Sequence, residues 1–144
     1  MRQGLAALAA GAIALISYDV TNAQTLDEQT KCSAQARFAF KEIESRTRPE
    51  MLKYLNTGIS STFASYLNMR LQRCFIMIER SFTDIHRKQS TQVDLTDAIS
   101  RHGYAFWSDT GGTMLTCDLS APGKARVICA SHEEFDAFTA QYME

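Results

Sequence analysis

Three histidines, four cysteines and one pair of adjacent glutamates are the residues of this 144-residue chain whose types could carry chemistry. Nucleophilic catalysis needs a serine, threonine or cysteine beside an imidazole that a carboxylate holds in place. His86 falls in the polar stretch TDIHRKQSTQ, His102 in the turn Arg101-His102-Gly103, and His132 at the start of a helix, so no triad is spelled out and each reads as a solvated surface residue. There is no Gly-x-Ser-x-Gly, no His-Glu-x-x-His and no glycine loop that would cradle a phosphate; Gly111-Gly112 reads as a hairpin turn. Glu133 and Glu134 adjoin, but neighbouring helical residues diverge, which suits them to capping a helix better than to paired acid/base work. The sequence therefore assigns no catalytic residue, no cofactor and no metal ligand.

The cysteines, Cys32, Cys74, Cys117 and Cys129, are 42, 43 and 12 positions apart. Without a Cys-x-x-Cys pair they lack the compact knuckles of zinc sites, and an even count in an exported chain reads as two disulfides. The expected pairs are Cys32 with Cys74 and Cys117 with Cys129. For the second pair, a two-residue Pro122-Gly123 loop would set Cys117 opposite Ile128 and point the two cysteines to opposite faces. It would also twist against the strands. A wider loop centred on Gly123 sets Cys117 opposite Cys129 and Leu119 opposite Val127, all on the core face. Turn chemistry alone does not choose among wider loops.

Export is expected from the opening MRQGLAALAAGAIALISYDVTNAQ, with a positive charge at Arg2, an uncharged, largely apolar run from Gly4 to Ile16 and a short polar stretch before Ala23. This is the three-part pattern of a secretory signal peptide, cut after Ala23. The run is too short for a hydrocarbon core, which needs about 20 apolar residues, so no stable membrane insertion is expected after cleavage. Residues 24–144 are then one disulfide-stapled globular domain, periplasmic or secreted. The formal net charge of −1 shows none of the clustered basic surface that nucleic acid requires. Arg70, Arg73, Arg80, Arg87 and Lys88 lean basic and the segment after Arg126 is acidic, an asymmetry that reads as solvated faces.

The elements that must position these residues follow from periodicity. Thr25-Leu-Asp-Glu28 is a capping-box pattern, and Cys32, Ala36, Ala39, Phe40 and Ile43 form one helical face. That helix is expected to end near Arg46, before Pro49, with a short second helix over 49–55. Residues 60–82 fit either a helix or strands, and β-branched and aromatic content favours strands. Residues 83–92 read as a loop. Four short strands follow, at 93–99, 104–107, 114–119 and 126–130, separated by turns short enough to force antiparallel pairing. Ser131-His-Glu-Glu134 caps a last helix whose stripe is Phe135, Phe138 and Tyr142. The expected class is α+β: an antiparallel β-meander with an N-terminal and a C-terminal helix packed on one face.

The block Tyr66-Leu-Asn-Met-Arg-Leu-Gln-Arg-Cys-Phe75, with Leu95-Thr-Asp-Ala98 and the closing Cys129 to Tyr142 segment, resembles the core of a group of short exported bacterial proteins of unassigned function. The resemblance implies one exported domain and adds no catalytic residue. Among binding candidates, Tyr104, Phe106 and Trp107 lead, because aromatics are enriched at interfaces. Strand alternation puts Tyr104 and Phe106 on one face and Trp107 on the other. The functional expectation is a non-enzymatic binding module for a protein or envelope component. The alternative is a small hydrolase or transferase whose site is assembled only by the fold.

Overall fold

Cys32, Ala36, Ala39 and Ile43 do recur along one face of a helix, and that helix, α1 (Ile13–Leu52), is longer at both ends than its sequence signals suggest. The structure, a computed structural model, describes residues 13–55 and 58–144, with side chains from residue 25 onward. The leader expected over residues 1–23 thus lies outside the described residues, apart from the backbone from Ile13 onward, which belongs to α1. Thr25 sits inside the helix, so the box at Thr25 to Glu28 does not start it. Nor does the helix end near Arg46. It runs through Pro49, and the expected second helix is its last turn. A proline costs a helix one donor and crowds the carbonyl four residues back, but little helix remains beyond Pro49 to be disrupted. Arg48 donates to the Ile59 carbonyl and ties this end to the sheet. The chain then closes through Lys53 and Tyr54 amides bonded three residues back.

Six antiparallel strands follow in sheet order identical to chain order: β1 (Ser60–Asn68), β2 (Arg73–Thr83), β3 (Gln89–Asp97), β4 (Gly103–Thr110), β5 (Thr113–Leu119) and β6 (Val127–Ile128). Residues 60–82 are strands, as their side-chain types favour. The reversal at 69–72 is closed by the Asn68 side chain accepting from the Leu71 amide at 2.8 Å, with Gln72 at φ +51. The loop expected at 83–92 contracts to Asp84–Lys88, where one Asp84 oxygen accepts from the His86 and Lys88 amides. Residues 89–92 are strand despite their polarity, because they pair on both sides, with β2 and β4. The strand expected to reach Ile99 stops at Asp97, whose carboxylate accepts from the Ile99 and Ser100 amides at 2.8 Å. The last strand, expected over 126–130, is two residues long.

The two helices, expected on one face, take opposite faces. The uninterrupted apolar run Cys74 to Ile78 is the physical reason: a strand alternates its side chains, so a continuous apolar run has two faces to bury. Cys74, Ile76 and Ile78 pack with Cys32, Ala36, Ala39 and Ala98 under α1. Phe75 packs with Leu95, Tyr104, Trp107, Cys117, Cys129, Phe135 and Tyr142 under α2 (His132–Met143). Ser131 caps α2 by accepting from the Glu134 amide at 3.3 Å, while the Glu134 carboxylate accepts from the Ala130 amide at 2.8 Å.

Both expected disulfides are present. Cys32 to Cys74 joins α1 to the start of β2 with Cα atoms 5.3 Å apart, and Cys117 to Cys129 joins β5 to the chain after β6 at 5.2 Å. The hairpin uses the wider loop, with Leu119 opposite Val127 and Asp118 opposite Ile128, and Gly123 at φ +73 takes the left-handed position. Cys117, Cys129 and Leu119 pack on the core, whereas Val127 is exposed. No helix among the described residues is long and apolar enough to cross a membrane.

Candidate functional site

On its side of the sheet α1 packs on β1, β2 and Ala98 and holds Arg101 of the β3–β4 turn through Glu42, and among the described residues the cluster beneath it includes no side chain of β4 to β6. The register sets a row across this side of the sheet: Asp94 on β3 faces Phe106 on β4, Phe106 faces Asp118 on β5, and Asp118 faces Ile128 on β6. An open depression of about 530 Å³ lies here, with Asp94, Phe106, Asp118, Ser120 and Arg126 in its lining.

Charge pairs flank the Phe106 ring. Behind Asp94, Arg80 projects from β2 into the layer under α1 and is fully buried. Its Nε donates to Glu44 Oε1 at 2.7 Å and a terminal nitrogen donates to Asp94. The other Glu44 oxygen accepts from the Ser61 hydroxyl at 2.7 Å. Burial pushes the Asp94 carboxyl above the ordinary aspartate range, against the opposing pull of Arg80. On the other flank, the exposed Arg126 guanidinium forks onto both oxygens of Asp118, with Nε to Oδ1 at 2.7 Å, and that carboxylate raises the arginine's affinity for its proton. A half-buried ring between two charge pairs is a recognition surface: it offers apolar area at its centre and polar groups at its rim.

The three aromatics expected to form a binding surface are separated. Tyr104 and Trp107 share the α2 face and are buried, while Phe106 alone reaches the open face. A bulge is the cause. Gly103 pairs with Thr96 and Ala105 with Leu95, so Tyr104 is the extra residue and its side chain is re-aimed. Its ring meets Phe75 edge-on at 5.1 Å and Tyr142 at 4.9 Å, and its hydroxyl accepts from Arg73 at 3.1 Å. Trp107 meets the His132 ring at 4.7 Å. Sequence reading missed Asp94, Asp118, Arg126, Arg80 and Glu44. The signal available was Arg80 as a charge next to an apolar strand core.

All three histidines are exposed. His132 Nδ1 lies 3.0 Å from Asp136 Oδ2, one turn along α2, beside a second depression of about 400 Å³ that Glu79 and Thr139 also line. The Thr139 hydroxyl donates to the Asp136 carbonyl. Backbone amide and Ser131 hydroxyl bonds hold the Glu133 carboxyl below its ordinary range, as befits a carboxylate in the first helical turn. Among the described residues no group of three or more histidine, cysteine or acidic side chains is placed to hold a metal ion. No family model, curated protein or solved structure matches the chain.

Proposed function

We propose that this is a small exported binding module, periplasmic or secreted, that takes a protein or envelope component on the open half of its sheet, with Phe106 at the centre of contact. One observation carries the reading: among the described residues the cluster under α1 stops short of β4 to β6, leaving a single aromatic ring, Phe106, in register between Asp94 and Asp118 on an open depression. The signal-peptide pattern and the two disulfides support an oxidising destination. The test is a photo-crosslinking amino acid at Phe106 in cells that export the protein, with Glu133 on the α2 side as control. A discrete adduct at 106 and none at 133 is expected. Equal labelling at both positions, or none at either, rejects the surface.

A second reading, a hydrolase or transferase, is favoured by the His132 and Asp136 pair, which is the arrangement of an imidazole oriented by a carboxylate. Among the described residues no hydroxyl or thiol bonds to that imidazole, so the pair stands without a nucleophile. Hydrolysis of model esters that His132→Ala abolishes would promote this reading over the first.

A further inference from the structure

The outer edge of β1 differs from what a sheet edge needs to stay single. Exposed edges are ordinarily blunted by lysine, proline, a bulge, shortness or a covering element. β1, SSTFASYLN, is nine residues long with no charge, proline or glycine. Its pairing with β2 runs from Ser60 opposite Ser81 to Asn68 opposite Arg73 without a slip. Among the described residues no backbone group outside β2 bonds to its main chain. The opposite side of the sheet is managed: the outer edge of β5 is part-filled by β6, and its ladder to β4 slips between Ser108 and Asp109. Beside the β1 edge, Phe40 of α1 stacks on Phe63 at 4.6 Å, and both rings are only half-buried.

We propose that a second copy of this chain pairs with this edge, β1 antiparallel to β1 across a two-fold axis normal to the sheet and centred near Ala64. Full overlap of the nine residues then sets Ala64 opposite its own copy, Phe63 opposite Ser65 and Thr62 opposite Tyr66, with no charge facing another. Both α1 helices fall on the same side of the continuous sheet, and each half-buried Phe40 and Phe63 stack is covered by its neighbour. Nine residues of strand span about 30 Å. A band ~20 Å tall would bury roughly 600 Å² a side, at the lower end of stable interfaces, which bury about 800 Å² per partner. Arg37 lies between Ser33, which reaches Ser65, and Phe40 on the helical period, so it approaches its own counterpart. The pair is therefore helped by salt, which screens like charges.

The disulfide-bonded protein from Gln24 onward is examined by sedimentation at concentrations up to about 1 mM, in low and high salt. A monomer–dimer equilibrium that tightens with salt is expected, weakened at least tenfold by Ala64→Lys or Thr62→Lys and unchanged by Thr116→Lys on β5. Hydrogen exchange on the unaltered protein should show alternate amides of 60–68 gaining protection with concentration. A monomer throughout, a dimer that salt dissociates, or one sensitive to Thr116→Lys instead would overturn the proposal. This test is independent of the open-face reading, whose residues lie on β3 to β6.

Discussion

Arg80 Nε and Glu44 Oε1 lie 2.7 Å apart with both side chains buried, so a helix carboxylate neutralises a charge carried by the middle strand of one core layer. Breaking a buried pair from one side leaves an uncompensated charge, at a cost of about 3 kcal/mol or more. Asp94 remains as a second partner for the guanidinium, which places Glu44→Ala near the low end. The double replacement Glu44→Leu with Arg80→Met removes both charges together and should recover most of the loss. Urea unfolding of the two variants measures the contrast. Equal destabilisation of single and double variants would mean that the layer depends on the pair for packing.

Asp94 titrates in the opposite sense to a surface carboxylate. Its folded-state pKa is raised by burial, so the protonated form is the one the fold prefers. The stability it contributes is fully present below the unfolded value, about 3.9, and is lost as pH rises through the folded value. Asp94→Asn mimics the protonated state. Its stability relative to the unaltered protein should therefore improve as pH rises above the unfolded aspartate value, about 3.9, and level off once the folded carboxyl has ionised. Denaturation midpoints at several pH values across that interval test the sign, and a variant that loses ground as pH rises would reverse it.

The Cys32 to Cys74 bond closes a loop of 42 residues between α1 and β2. Chain-entropy reasoning gives roughly 4 kcal/mol for such a loop, a large part of the 5 to 15 kcal/mol (approximately) that holds a typical domain together. Cys32→Ser should lower the melting temperature by several degrees or prevent accumulation. Peptide mapping without reduction should give separate fragments joining 32 to 74 and 117 to 129. A fragment joining 74 to either 117 or 129 would contradict both bonds.

Much of this fold was legible because its signals are local. The Gly123 turn, the Ser131 cap and the wide-loop register of Cys117 against Cys129 rest on residues within a few positions of each other, and the structure keeps all three. What was not legible depends on partners distant in sequence. Gln89 to Gln92 have no period of their own, yet they are strand because neighbours pair with them on both sides. Pro49 looks like a helix stop until Arg48 is seen holding the Ile59 carbonyl. The helices take opposite faces because the run Cys74 to Ile78 is apolar on both sides of its strand, and strand type alone does not say how many layers such a run needs. The open-face row was hidden for the same reason: Asp94, Phe106 and Asp118 are neighbours only once three strands are in register.

Phe106 and Trp107 are adjacent in sequence and should respond to substitution in opposite ways. Trp107 is buried on the α2 side among Cys117, Phe135 and the His132 ring, so Trp107→Ala opens a cavity in the larger core layer. Truncations of this kind cost about 3 to 5 kcal/mol, which for a domain of this size threatens folding itself. Phe106 is half-buried in an open depression, where solvent already reaches the ring, and Phe106→Ala should cost only about 1 kcal/mol by the area it shields. The functional consequences invert that order. Trp107→Ala should lower the amount of folded protein, while the folded fraction keeps its open-face surface. Phe106→Ala should leave melting and expression near those of the unaltered protein while removing the adduct formed from a crosslinking residue placed at Ser120 of the same lining, since it deletes the only aromatic in the row between the two charge pairs. Arg126→Ala separates the ring from its rim: it frees Asp118 without touching Phe106, so it should weaken capture of the same partner less than Phe106→Ala does. Thermal melts paired with adduct yield for the three variants decide the matter. If Phe106→Ala unfolds the protein, or leaves capture intact in folded material, the open half of the sheet is not the binding surface.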